Sequence, residues 1–171
     1  ANGVDEYYSG KIALLFKFRW FNVDELASLS LKEFLQIGTR SVSGEMFEGI
    51  YEEITKDPQK AIFIFDGLDE FNGNPFSYLD QCQVIPNNPN NGISGMNLFI
   101  KIISGSFLRG ATVVVTSRPT TQDFCTKLKF NRSVEIIGFT KNKIKEYVNR
   151  FCDNNNRSDL TPKIWNHINS S

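Results

Sequence analysis

Three carboxylates fall within five positions at the end of an apolar run: Ala61 to Phe65 leads into Asp66, Gly67, Leu68, Asp69 and Glu70. An aspartate at the end of a rigid buried strand is well placed to hold a hydrated Mg²⁺, because the strand sets its position while the ion keeps most of its waters. Gly67 leaves room beside it, and Asp69 and Glu70, one turn on, can orient or deprotonate an attacking water. The same residues also suit a plain solvated acidic turn, so this stretch alone leaves both readings open. A second polar cluster, Ser117-Arg118-Pro119, follows the run Thr112 to Thr116. A guanidinium flanked by Thr116, Ser117 and a rigid proline can reach a terminal phosphate and sense its presence. Carboxylates and an arginine presented from neighbouring strand ends point to a nucleotide-phosphate site.

The pattern of the chain predicts the elements that hold these groups. Lys11 to Phe21 reads as a strand, continuous at first and then alternating Phe16, Phe18 and Trp20 with Lys17 and Arg19, as suits a sheet edge with one wetted face. Ser30 with Glu33 forms a capping-box signature for a short helix over Phe34, Leu35 and Ile37 that Gly38 stops. A second helix is expected from Gly44 to Lys56, with Met46, Phe47, Ile50 and Ile54 on one face and Pro58 beyond its end. Ala61 to Phe65 is apolar throughout, as a strand covered on both faces must be. Asn72 to Gly95 reads as one long exposed loop, because Asn, Pro and Gly crowd its second half.

Met96 to Phe107 reads as a helix, Thr112 to Thr116 as a second fully apolar strand and Ser133 to Phe139 as a last short one. Thr140 is expected to cap an amphipathic helix carrying Ile144, Tyr147, Val148 and Phe151, and Thr161-Pro162 to start another. Strands separated by helices describe an α/β fold: a parallel sheet with helices on both faces and ligands at the carboxyl ends of the strands. Both polar clusters fall at such ends.

Bulk properties narrow the partners. Nineteen basic and nineteen acidic residues among 171 give a formal net charge of zero, which leaves no electrostatic footprint for nucleic acid or an anionic membrane. Cys82, Cys125 and Cys152 lie far apart with no CxxC, and His167 is the single histidine, so neither a zinc site nor a disulfide framework is expected; a reducing, cytoplasmic setting follows. The longest apolar run is far short of the ~20 residues of a membrane helix, and the start shows no basic-then-apolar targeting pattern. A first residue of Ala, in a polar, loop-like opening, suggests a piece of a longer protein.

With IFIFDGLDEF, a helix, VVVTSRP, then EIIGFT and an amphipathic helix with Tyr147 and Phe151, the sequence resembles the NACHT family of STAND nucleoside triphosphatases, the nucleotide switch of NOD-like receptors. The likeness runs from about Lys11 to Phe151, and LLFKFRWFNVDELASLSLKEFL is similar to the module's second strand and following helix. A small residue after the magnesium aspartate, with an acidic pair three and four positions beyond that aspartate, is similar to the NACHT form of the Walker B motif. The resemblance implies a P-loop NTPase (ASCE) type parallel sheet over residues 1–140, strand 2 to strand 5 of the domain, with residues 141–171 beginning helical domain 1 and Gly138-Phe139-Thr140 marking the junction. It implies ATP or ADP with Mg²⁺ as ligands. Asp66 would bind the metal; Asp69 and Glu70 would be the catalytic or water-positioning acids; Arg118 would be the sensor for the γ-phosphate, with Gly67, Thr116 and Ser117 around the cofactor.

It also implies a switch that is closed with ADP and open and self-associating with ATP, with weak hydrolysis resetting it. The setting would be innate-immune or cell-death signalling, with adaptors reached through regions outside this chain. One departure is large: no GxxxxGK[ST] loop occurs, and the pair Gly10-Lys11 lacks a glycine five positions earlier. By the family's order that loop and a first strand would lie before Ala1, the strand belonging between those read at Thr112 and Ser133. Residues 1–171 by themselves are therefore expected to be weakly stable and to bind ATP weakly. Two other readings stand beside the switch: a degenerate NACHT scaffold acting only through protein contacts, and a phospho-receiver built on Asp66, Thr116 and Lys141. The receiver leaves Asp69, Glu70 and Arg118 without a role.

Overall fold

The structure is a computed structural model that describes residues 8–39 and 42–170. Among them three strands pair in parallel: β1 (Ile12–Lys17), β2 (Ala61–Asp66) and β3 (Thr112–Val115), in the spatial order β1-β2-β3. The connections carry helices α1 (Leu31–Gly38), α2 (Gly44–Lys56), α3 (Pro75–Val84) and α4 (Gly95–Ile103), and α5 (Gln122–Lys127) follows β3. This is the α/β architecture with a parallel sheet that the order of apolar runs predicts. β1 forms one edge and β2 the centre, as their patterns require.

Register decides which side chains share a face. Leu14 pairs with Phe63 and Phe63 with Val113; Phe16 pairs with Phe65 and Phe65 with Val115, so one face presents two rows of bulky apolar side chains. Helices α1 and α4 cover that face with rings. Phe34 stacks on Phe16 at 4.5 Å, and Phe99 meets Phe65 edge-on at 4.7 Å. Gly38 permits the close approach of α1, since a Cβ there would lie 2.6 Å from the Phe16 ring. The opposite face is more open: in the intervening row Leu15, Ile64 and Val114 are half-buried or exposed. Expected cover on both faces is thus unequal among the described residues.

Several elements match their signals closely. Ser30 and Glu33 form a complete capping box at α1: the Ser30 Oγ accepts from the Glu33 N–H, and the Glu33 carboxylate accepts the Ser30 N–H at 2.8 Å. Helix α2 spans the expected residues and buries Phe47 and Ile54, while Met46 turns away at 63% exposure. Four expectations need correction. The strand at Lys11–Phe21 ends at Lys17, and Phe18–Asn22 winds as a 3₁₀ turn that still buries Phe18. The alternating aromatics there reflect a chain leaving the sheet while keeping one side against the core.

The loop expected over Asn72–Gly95 contains α3, which Asn74 caps by accepting from the Phe76 N–H and Pro75 opens. None of its residues is fully buried, so it carries too weak an apolar stripe to announce itself, though Tyr78, Leu79 and Cys82 lean on the core. The loop's second half, residues 85–94, is irregular as expected, and Lys101 holds it through the Ile85 carbonyl at 2.9 Å and Asn87 Oδ1 at 2.6 Å. The helix expected over Met96–Phe107 stops at Ile103. Ser133–Phe139 forms no strand, and Ile136 is 93% exposed. Its composition suits a strand, but a strand is made by a ladder partner and not by β-branched residues alone.

The chain divides into two compact units, Ala1–Phe130 and Asn131–Ser171. The second contains α6 (Lys141–Asn154), capped by Thr140, and α7 (Thr161–Ser170). On α6 the buried residues are Val148 and Cys152, while Tyr147 and Phe151 lie exposed and stack at 6.3 Å. The three cysteines are free, and burial pushes the Cys82 thiol pKa up, which disfavours its thiolate.

Candidate functional site

The ends of β2 and β3 leave the sheet side by side. Phe65 sits opposite Val115, so Asp66 and Thr116 follow as the next pair, and the Thr116 N–H donates to the Phe65 carbonyl at 2.9 Å. Phe65 and Leu68 are both buried and pin the segment on either side, which turns Asp66 and Glu70 outward to solvent. Gly67 makes the turn possible. It adopts φ +74°, a left-handed backbone that side chains resist, and starts the 3₁₀ turn Leu68–Glu70.

Thr116 joins the two strand ends. Its hydroxyl donates to Asp66 Oδ1 at 2.6 Å and accepts the Gly67 N–H at 3.0 Å, while its carbonyl accepts the Leu68 N–H at 2.9 Å. Three bonds to three successive residues fix the position and tilt of the Asp66 carboxylate.

Asp69 points sideways, toward the segment after β3. Its Oδ1 accepts the Arg118 backbone N–H at 3.1 Å and lies 3.5 Å from the Ser117 hydroxyl; its Oδ2 lies 3.3 Å from Arg118 Nε. The carboxylate is only 13% exposed, whereas the Arg118 side chain is 80% exposed. Ser117 is in turn steadied by the Thr121 hydroxyl at 2.6 Å. All seven residues expected at the site, Asp66, Gly67, Asp69, Glu70, Thr116, Ser117 and Arg118, are thus gathered at the ends of two adjacent strands.

Two supporting residues escaped the sequence reading. Asn22, just after the aromatic run, donates from Nδ2 to the Glu70 carbonyl at 2.8 Å and accepts the Asn72 N–H at 2.8 Å, closing the acidic turn from the β1 side. Thr121 is the other. Nothing in their local sequence marks them, because their partners are about fifty and four residues away.

The donor set suits a cation carried on phosphates. Asp66 offers an exposed carboxylate on a rigid strand end, and Mg²⁺ held by one or two carboxylates takes its other ligands from water and phosphate. Among the described residues no three His, Cys, Asp or Glu side chains gather as a self-sufficient metal cage. No helix among them is long and apolar enough to cross a membrane. A cleft of about 260 Å³ that includes Phe71, the residue after the acidic turn, is lined by Phe21, Asn22, Tyr78 and Met96 among others and contains none of the seven site residues.

The sequence matches the NACHT domain over residues 3–155. Protein NLRC5 of Ictalurus punctatus is 30% identical over 148 residues, which cover 85% of this chain and 8% of that protein. Protein NLRC5 of Homo sapiens is 28% identical over 102 residues, 60% of this chain and 5% of that protein. Nucleotide-binding oligomerization domain-containing protein 2 of Bos taurus is 24% identical over 107 residues, 60% of this chain and 10% of that protein. The chain spans a tenth or less of the length of these relatives.

Proposed function

Because the chain belongs to the NACHT family, the nucleotide-binding module of NOD-like receptors, we propose that it supplies the magnesium and phosphate-sensing side of an ATP/ADP switch. The observation that supports this reading is the paired exit of β2 and β3, which puts the Asp66 carboxylate and the Arg118 guanidinium on segments tied directly together.

ATP with Mg²⁺ supplies, when bound, a cleavable phosphoanhydride and a cation that offsets its charge. Asp66 holds the hydrated ion, and the Thr116 hydroxyl keeps its carboxylate aimed. Arg118 directs its Nη groups at the terminal phosphate, where planar, permanently charged donors tell a triphosphate from a diphosphate. Glu70, exposed on the turn after Gly67, orients the attacking water. Ser117 stands beside Arg118 at the rim of the cofactor site. In the whole protein this site drives ATP-favoured self-association, weak hydrolysis that resets it, and adaptor contacts through other regions, in cytoplasmic innate-immune or cell-death signalling.

Asp66→Ala and Arg118→Ala in the intact protein test the reading. The expected result is loss of Mg²⁺-dependent ATP binding for the first, and loss of the preference for ATP-driven over ADP-driven self-association for the second. Unchanged nucleotide binding and assembly in both variants would instead favour a scaffold that works through protein contacts alone.

A further inference from the structure

We infer that Asp69 is a positioning residue for Arg118 rather than an acid that acts on water. The inference rests on the nucleotide reading of the site and divides the labour of its two adjacent acids.

The geometry around Asp69 differs from that of its neighbours. Asp66 and Glu70 face solvent, but Asp69 is largely covered, and both of its oxygens are engaged by the segment after β3. One oxygen accepts the Arg118 main-chain N–H at 3.1 Å, and the other lies 3.3 Å from Nε of the same residue as an ion pair. A single carboxylate therefore grips one arginine at its backbone and part-way along its side chain. That contact steadies the root of the guanidinium, while the Arg118 side chain as a whole stays 80% exposed. An arginine has five N–H donors in a planar fork, so one donor can anchor the plane while the outer ones bind phosphate bidentately. A carboxylate this covered, with both oxygens against the Arg118 segment, is poorly placed to act on a water. Glu70 has neither restraint.

The arrangement also couples the strand ends. Asp69 sits in the 3₁₀ turn that Gly67 opens, and that turn is tied to Thr116 through the Leu68 N–H. A phosphate that pulls on Arg118 therefore pulls on the turn bearing Asp66 and Glu70.

The test uses Asp69→Asn and Glu70→Gln in the intact protein, each alone and with Arg118→Ala. In the nucleotide-free state the Arg118 backbone amide should exchange faster with solvent in Asp69→Asn than in wild type, and stay slow in Glu70→Gln. ATP·Mg²⁺ affinity should fall about tenfold in Asp69→Asn, the size of one charge-assisted hydrogen bond, with ADP·Mg²⁺ affinity changed less than about twofold. In the Arg118→Ala background Asp69→Asn should bring no further loss, whereas Glu70→Gln should slow hydrolysis and spare the ATP-to-ADP preference. If Asp69→Asn slows hydrolysis with that preference and Arg118 exchange unchanged, Asp69 is an acid after all and the positioning role is wrong while the nucleotide reading survives. Wild type that binds neither nucleotide overturns both. Asp69→Glu, which keeps the charge, is the check on folding: partial recovery of the ATP preference supports positioning, and full loss with intact Arg118 exchange counts against it.

Discussion

The Thr116 hydroxyl stands 2.6 Å from Asp66 Oδ1 and 3.0 Å from the Gly67 nitrogen, so one side chain on β3 holds both the carboxylate and the backbone turn at the end of β2. Thr116→Val keeps the shape and removes both bonds. It should destabilise the fold by about 1–2 kcal/mol, read from the urea midpoint, and weaken Mg²⁺-dependent nucleotide binding. Thr116→Ser retains the hydroxyl and should restore most of both.

Gly67 adopts a left-handed backbone, and a Cβ there would come within 3.1 Å of Glu70 Cδ. Gly67→Ala should cost about 1–2 kcal/mol from backbone strain, again by chemical denaturation. Because Glu70 can move aside, the loss should not grow much with the size of the side chain; a steep increase from Ala to Val would place the conflict in packing.

Gly38 is the last residue of α1, where alanine by propensity alone would be at least as good a helix former as glycine. Here the added methyl would meet the Phe16 ring at 2.6 Å and Leu14 Cβ at 3.1 Å. Overpacking of that kind costs about 1–3 kcal/mol, so Gly38→Ala should lower the melting temperature despite its better propensity. A gain in stability would show that α1 can lift off the sheet without penalty.

The capping box makes part of the stability depend on pH. Hydrogen bonds from the Ser30 hydroxyl and then the Ser30 N–H hold the Glu33 pKa below its ordinary value of 4.5. A depressed folded-state pKa adds stability that is present above the unfolded value and is lost as pH falls through the folded one. Wild type should therefore lose its advantage over Glu33→Gln as the pH is taken from neutral to below 4.5. Equal differences in urea midpoint at neutral and acid pH would show that the carboxylate charge plays no part in the cap.

Much of the fold was legible because its signals are local. The capping box at Ser30 and Glu33, the span of α2 and the continuous apolar run of β2 each depend on residues close in sequence. The sequence also brought the acidic turn and the Arg118 segment to neighbouring strand ends, since apolar strands between helices make a parallel sheet whose carboxyl ends lie together. Helix α3 was missed because its apolar stripe is faint, and the strand expected at Ser133–Phe139 failed because a strand depends on a partner that composition does not supply.

By itself, then, the sequence determined which polar residues gather at the ends of β2 and β3 and that the sheet is parallel, through periodicity and through the order of apolar runs. Only the tertiary structure decided how the acids differ. The β2–β3 register ends at Phe65 opposite Val115 and so brings the Thr116 hydroxyl onto Asp66, and the turn that begins at Gly67 swings Asp69 onto Arg118 while leaving Glu70 in solvent. Asp69 and Glu70 are adjacent carboxylates with the same chemistry in a linear chain. What separates them is the direction of a 3₁₀ turn and the nearness of a segment about fifty residues away, and both are properties of packing.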